Sequence, residues 1–543
     1  MKRKKELIVI LSSLLVIVLA VSVAYFTTKI LGTEKNISVT SADLKVIFTS
    51  GSGTINGTNI EPGWTSGEKT FTVKNESNGT YKYNIIIKDL VNTFVTEGFL
   101  QYRIVSTDGG YNMRIFENVP KSLTSKDKVL AYNISIDKDA THTYIVEFIY
   151  QSTGVDQSED MGKTLTGKIF IEEAEQFKGG SLSDAIMFNN PIIDTRSDFY
   201  AFEINTANTL YKSTENGADV YYFAGKDNDE TPINNWVKFG KFGEDSIYAK
   251  GYESETSSNY KLYSNLNRCT SATEYNVNCS LLWKTGDDIY WRIIRTNHDS
   301  SIRLLFSGSS PDSVNPFIFS SEFNPVGGLK SAGYMYGNNT STIDGVRENT
   351  NDSTIKTYID YWYEDNLTSY TNYLSNDAIY CNDRELQTSS VFKSYARLYR
   401  SENTPTYDCT NTKDAFSGNN EEAKLKYPIA LMTADEIIYA GGIGYSPRGY
   451  FSDWSMWYST NSLYQSYFGK GGWWTMTPAK INYIWNVGNK VDSAYASDML
   501  SFSNKSETSL MIRPVTSLKS CVQWKSGDGS ANAPYEIEMN GGC

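Results

Sequence analysis

All six cysteines of this 543-residue chain lie from residue 269 onward, at Cys269, Cys279, Cys381, Cys409, Cys521 and Cys543. The residues before Cys269 must therefore hold themselves together by packing, whereas those after it can be cross-linked. An even cysteine count in an exported chain reads as a disulfide framework, although six cysteines allow fifteen connectivities. The spacing suggests three local pairs, Cys269–Cys279, Cys381–Cys409 and Cys521–Cys543. Each closes a loop of about 10 to 30 residues and contributes on the order of 3 kcal/mol by chain entropy. The last pair ties down a terminus that otherwise frays. A metal site needs cysteines separated by two to four residues, and no two here are that close.

The disulfide reading depends on export, and residues 1–26 argue for it. Lys2-Arg3-Lys4-Lys5 precede an uncharged run over residues 7–26 that contains the small-x-small triplet Ser22-Val23-Ala24. That layout is a secretory signal cleaved after Ala24. The same run, at about 1.5 Å per residue, reaches roughly 30 Å and also fits a retained membrane anchor. In both cases the basic cluster stays cytoplasmic and the remainder lies outside. The expected location is extracellular or at the cell surface, secreted or anchored by the leader.

The body carries an excess of acid. The formal charge is −12, and setting aside the net +3 of Lys2, Arg3, Lys4, Lys5 and Glu6 leaves −15. Nucleic-acid affinity comes from Lys and Arg neutralising phosphates, so no nucleic-acid partner is expected. The 39 tyrosines, 24 phenylalanines and 11 tryptophans favour pleated, half-buried surfaces and hence β structure.

Residues 37–175 read as strands separated by tight turns. Residues 69–74, 81–88 and 143–150 are rich in aromatic and β-branched side chains, and Asn56-Gly57, Asn78-Gly79 and Asp108-Gly109-Gly110 supply the positive-φ positions that turns need. An antiparallel β-sandwich is the expected fold. Glu172-Glu173-Ala174-Glu175 closes this region and Gly179-Gly180 makes a linker. Three features, the leader ending Ala24-Tyr25-Phe26, the segment Ile60-Glu61-Pro62-Gly63 followed by residues 71–79, and the closing strand near Leu165 to Ile171, resemble the TasA/camelysin family of bacterial matrix-fibre proteins. The resemblance covers about a quarter of the chain. It implies a jelly-roll module, secreted and able to self-assemble by strand exchange. Metalloprotease activity, ascribed to some relatives, has no support in a chain with only His142 and His298 and no H-E-x-x-H.

Residues 181–543 read as mixed α+β. Ile355, Tyr358, Ile359 and Trp362 form one helical stripe, read as core. Thr433-Ala434-Asp435-Glu436 is a capping box, so Asp435 and Glu436 start a helix rather than form a catalytic carboxylate pair, and Gly441-Gly442 stops it. Strands over residues 280–284, 289–294 and 301–306 suggest a meander. Tyr222-Phe223-Ala224-Gly225, residues 235–239 and 290–295, Gly472-Trp473-Trp474-Thr475, Ile512-Arg513-Pro514-Val515 and the ending from Gly527 to Ile537 resemble, in order, an uncharacterised domain of Gram-positive surface proteins. That resemblance implies a fold like that of C-type lectins and formylglycine-generating enzymes, used to present binding surfaces.

The chemistry-bearing residues are few. Gly162-Lys163-Thr164 lacks the upstream glycine of a phosphate loop, Gln157 standing there. His142 borders a strand, His298 sits in a turn, and both read as surface residues. Asp227, Asp229 and Glu230, with Asp528 further on, are the oxygens on which calcium would sit, against a reading as solvated turns. No other cofactor is called for. Trp454, Trp457, Trp473 and Trp474 read as core, with a glycan- or protein-binding platform as the alternative. The function expected is a surface or matrix structural and adhesion protein without catalysis. Its partners would be other surface or matrix proteins or glycans, the membrane if the leader is retained, and further copies through the sandwich. The rivals are an extracellular hydrolase or formylglycine-generating-type oxidase, and a calcium-dependent lectin.

Overall fold

The computed structural model describes residues 37–40 and 45–50, residues 60–249 and 279–442 with short omissions, and residues 456–458, 472–487, 500–504, 510–539 and 543. The leader with Ala24, Asn56-Gly57, Asn78-Gly79, Gly162, Asp229, Glu230, Cys269 and Trp454 lie outside the described residues. Among the described residues strand accounts for 42% and helix for 14%, so they are β-rich and built into several sheets. It divides into two compact units, one of residues up to Gln176 and one of Phe177–Asn228 with Pro232–Cys543. Among the described residues no helix is long and apolar enough to cross a membrane.

In the first unit one sheet runs Ile37–Thr40, Lys45–Ser50, Lys69–Asn75, Thr141–Tyr150, Leu100–Ser106, Glu117–Asn118, with every neighbour antiparallel. A second sheet sets Tyr81–Asn92 between Leu165–Glu173 and Ser122–Ile136, also antiparallel. Period-two burial along Leu100–Ser106 and Thr141–Tyr150 turns one face of the first sheet inward. That face meets the second sheet, where Ile85, Ile87, Leu165, Ile169 and Ile171 are buried. The Asp108-Gly109 turn follows Ser106, and Gly109 takes φ +94°, where a side chain is disfavoured.

The interface between these sheets is polar at one point. Tyr83 Oη lies 2.9 Å from His142 Nδ1, and it also hydrogen-bonds Tyr144 Oη, which accepts from the Tyr111 amide at 3.1 Å. His142, expected at the surface, is 6% exposed. The correction follows from strand parity: His142, Tyr144, Val146 and Phe148 share the inward face of Thr141–Tyr150.

The second unit is built on a mixed sheet of ten strands. Its centre is Asp288–Thr296, which pairs antiparallel with Ala218–Tyr222, Trp236–Lys241 and Ile302–Phe306. From Ile302–Phe306 the sheet continues through Pro514–Leu518 to Ile429–Leu431. A five-stranded sheet orders Phe319–Ser321, Leu510–Ile512, Trp473–Lys480, Tyr483–Val487, Leu500–Asn504. The expected meander is only two strands of this centre, because Cys279–Trp283 pairs with Ser246–Ala249 in a separate sheet. The helix Thr354–Asn366, capped by Ser353, buries Ile355, Tyr358, Ile359 and Trp362. Trp362 packs edge-on against Phe306 and Trp291.

Among the described residues this unit holds two disulfides. Cys381–Cys409 and Cys521–Cys543 have Cα separations of 5.6 and 5.7 Å. The second lies where the unit begins and ends: the Leu182 amide donates to the Val522 carbonyl, and Trp524 to that of Gly180.

Candidate functional site

A strand buried on both faces cannot send its polar residues to water, and Asp288–Thr296 is nearly continuously buried. Its Arg295 and the adjacent strand's Arg303 are 2% and 1% exposed, so each needs an anionic partner inside. Arg295 Nη2 donates to Glu215 Oε1 at 2.8 Å, Nε to Glu436 Oε1 at 3.0 Å, and Nη1 to the Thr296 carbonyl. Arg303 Nη1 donates to the same Glu436 oxygen at 2.5 Å, and its Nη2 to the Ile379 carbonyl.

Glu436 occupies the third position of the helix Ala434–Tyr439. Its Oε2 accepts from the Thr433 amide while the Thr433 hydroxyl accepts from the Glu436 amide. The capping box thus places one carboxylate so that one oxygen closes the helix and the other binds two guanidiniums. Its neighbour Asp435 is bracketed by Arg397, from the helix Lys393–Tyr399, at 2.7 Å and by the Thr406 amide at 2.9 Å. Arg397 also reaches Asp383 at 3.0 Å, and Asp383 holds φ +46°, uncommon for a residue with a side chain.

Tyr407 completes the cluster. Its ring stacks on Tyr439 with centroids 4.0 Å apart and carries the Arg295 guanidinium 4.2 Å above it. Cys381–Cys409 ties the segment that carries Asp383 to the one that carries Thr406, Tyr407 and Asp408. These groups surround a cavity of about 20 Å³, floored by Arg295, Arg303 and Glu436 and rimmed by Asp383, Arg397 and Asp408. That is room for one water-sized group.

The electrostatics follow from burial and pairing. Burial alone would raise the Glu215 carboxyl, but the Arg295 charge and hydrogen bonds from His298 and Arg295 hold it well below the usual carboxylate range. Glu436 is likewise lowered against its burial, by Arg303 and then Arg295. Asp383 goes the other way: burial raises it and the nearby Asp435 charge adds to that, against Arg397. The two glutamates are therefore held as anions, whereas burial pushes the Asp383 carboxyl up.

Asp435 and Glu436 begin a helix, as the capping pattern indicates, and in addition hold the guanidiniums of this cluster. His298 is part-buried, with Nδ1 3.1 Å from Glu215 Oε2. Trp457, Trp473 and Trp474 are 3%, 2% and 0% exposed, so they form core and present no platform. Asp227 pairs with Arg292 at 2.7 Å, and Asp528 accepts from the Ser530 amide within a turn. Among the described residues no group of three or more His, Cys, Asp or Glu side chains is placed to hold a metal ion. Arg295, Arg303, Arg397 and Tyr407 escaped the sequence reading because arginine and tyrosine carry no spacing signature. An arginine inside the apolar run of residues 289–294 and beyond is the only local hint.

Comparison of the sequence with protein-family models gives no match, and comparison with curated proteins gives none.

Proposed function

We propose that the protein works outside the cytoplasm as a structural or adhesion component of a cell surface or extracellular matrix, and that it performs no catalysis. The observation that carries this reading is the pair of disulfides Cys381–Cys409 and Cys521–Cys543. Disulfides persist in oxidising compartments and are rare where thiol reductants are kept active. The basic and apolar leader supplies the route, by cleavage after Ala24 or as an anchor.

In this reading the first unit is a jelly-roll-like sandwich and the second a C-type-lectin-like domain. The sandwich contributes self-assembly, and the second unit contacts surface or matrix proteins or glycans, with no cofactor. The charged cluster supports the structural role, since Glu215, Glu436 and Asp435 are each committed to arginine side chains.

Cell fractionation combined with thiol labelling of the denatured protein tests the reading. The expected result is a polypeptide in the surface or culture-fluid fraction whose cysteines resist labelling until reduced. Full-length protein in the cytosol with reactive thiols at Cys381, Cys409, Cys521 and Cys543 would overturn it.

A further inference from the structure

We propose that the cavity lined by Arg303 and Tyr407 is a binding site for a single neutral hydroxyl group. Two buried donors whose residues line it have no hydrogen-bond partner among the described residues: Arg303 Nε and Tyr407 Oη. Their residues are 1% and 5% exposed, so bulk water does not serve them, and an unpaired buried donor is costly.

The guest must accept hydrogen bonds, because Arg303 Nε–H can only donate. A cation does not meet that need. An anion does, but the lining carries Asp383, Asp408, Asp435 and Glu436 against Arg295, Arg303 and Arg397, with Glu215 behind Arg295. The surplus of carboxylates repels it. A neutral O–H group accepts from Arg303, exchanges a hydrogen bond with Tyr407 and can donate to a carboxylate oxygen. The volume of about 20 Å³ admits one such group and no more. The rim allows entry, since the side chains of Arg397 and Asp383 are 20% and 22% exposed and Asp408 is exposed.

The hydroxyl has two sources, solvent water or the protruding hydroxyl of a small neutral alcohol or sugar. The site stands on its own geometry and does not depend on the location of the protein. The test is a high-resolution crystal structure of the full chain, grown without alcohols or glycols, together with an NMR titration with glucose. A single density peak within hydrogen-bond distance of both Arg303 Nε and Tyr407 Oη is expected, and it should weaken or vanish in Tyr407→Phe. If glucose also binds, and Tyr407→Phe weakens it by about tenfold, a ligand hydroxyl is the guest. If glucose does not bind and the peak is present, water is the guest. No peak bridging the two donors in the unmodified protein, or an anomalous bromide peak there after a bromide soak, overturns the proposal. The density criterion stands even if Tyr407→Phe fails to fold.

Discussion

Arg303 Nη1 donates to Glu436 Oε1 at 2.5 Å with both side chains 1% exposed, so neither charge has recourse to water. Removing one member of such a pair leaves the other buried and uncompensated, at a cost of about 3–5 kcal/mol. Glu436→Gln should reach that range, because Arg295 and Arg303 both lose their shared anion. Glu421→Gln, which breaks the exposed pair with Lys424, should cost about 1 kcal/mol or less. Urea unfolding of the two variants measures the contrast, and equal costs would refute the assignment of Glu436 as the hub.

The two histidines should titrate on opposite sides of the ordinary imidazole value. His142 is lowered, chiefly by burial, with Asp108 and Asp137 opposing. His298 is raised, chiefly by its hydrogen bond to Glu215. For His142 the unfolded chain binds the proton more readily, so its contribution is complete above about pH 6.5 and fades as pH falls through the lower folded value. For His298 the folded state holds the proton more tightly, so its contribution is complete below about pH 6.5 and fades as pH rises through the higher folded value. The chain contains two histidines, so an NMR titration of the whole protein reports both. Coincident midpoints would contradict the geometry of both sites.

Deleting Cys381–Cys409 by paired serine substitution should cost roughly 3–4 kcal/mol from the entropy of a loop spanning 28 residues. The effect should reach beyond the loop. Arg397 and Tyr407 lie between the two cysteines in sequence, and Arg384 meets Asp414 at 2.7 Å just beyond them. Hydrogen exchange should therefore quicken across residues 381–414 more than across Thr354–Asn366, and uniform quickening would count against a local staple.

The parts that were legible in the sequence are those written in short-range patterns. Alternation exposed the strands around residues 69–74 and 143–150, the 3.6-residue stripe exposed Thr354–Asn366, and Thr433 with Glu436 exposed a helix start. Cys381–Cys409 and Cys521–Cys543 followed from spacing. What was not legible depends on contacts distant in sequence. Glu436 lies 133 residues from Arg303 and 141 from Arg295, and no local rule links them. The meander failed for the same reason, since Cys279–Trp283 found its partner at Ser246–Ala249 rather than at the next strand. His142 was misread because its position at a strand start outweighed its parity, although residues 142, 144, 146 and 148 alternate inward.

The tryptophans supply the last prediction, because core and platform respond differently to truncation. Trp474 is 0% exposed, its indole N–H donates to the Ser321 carbonyl at 2.8 Å, and its ring meets Phe323 edge-on at 5.8 Å. Trp474→Ala removes a large buried surface and leaves Ser321 O without its donor, so it should cost about 3–5 kcal/mol. Trp474→Phe keeps much of the volume and should cost less, the remainder being the lost hydrogen bond of about 1 kcal/mol. A binding platform would show the reverse, with stability nearly unchanged and ligand affinity lost. Thermal unfolding of both variants decides between them, since only a core residue ranks alanine well below phenylalanine in stability.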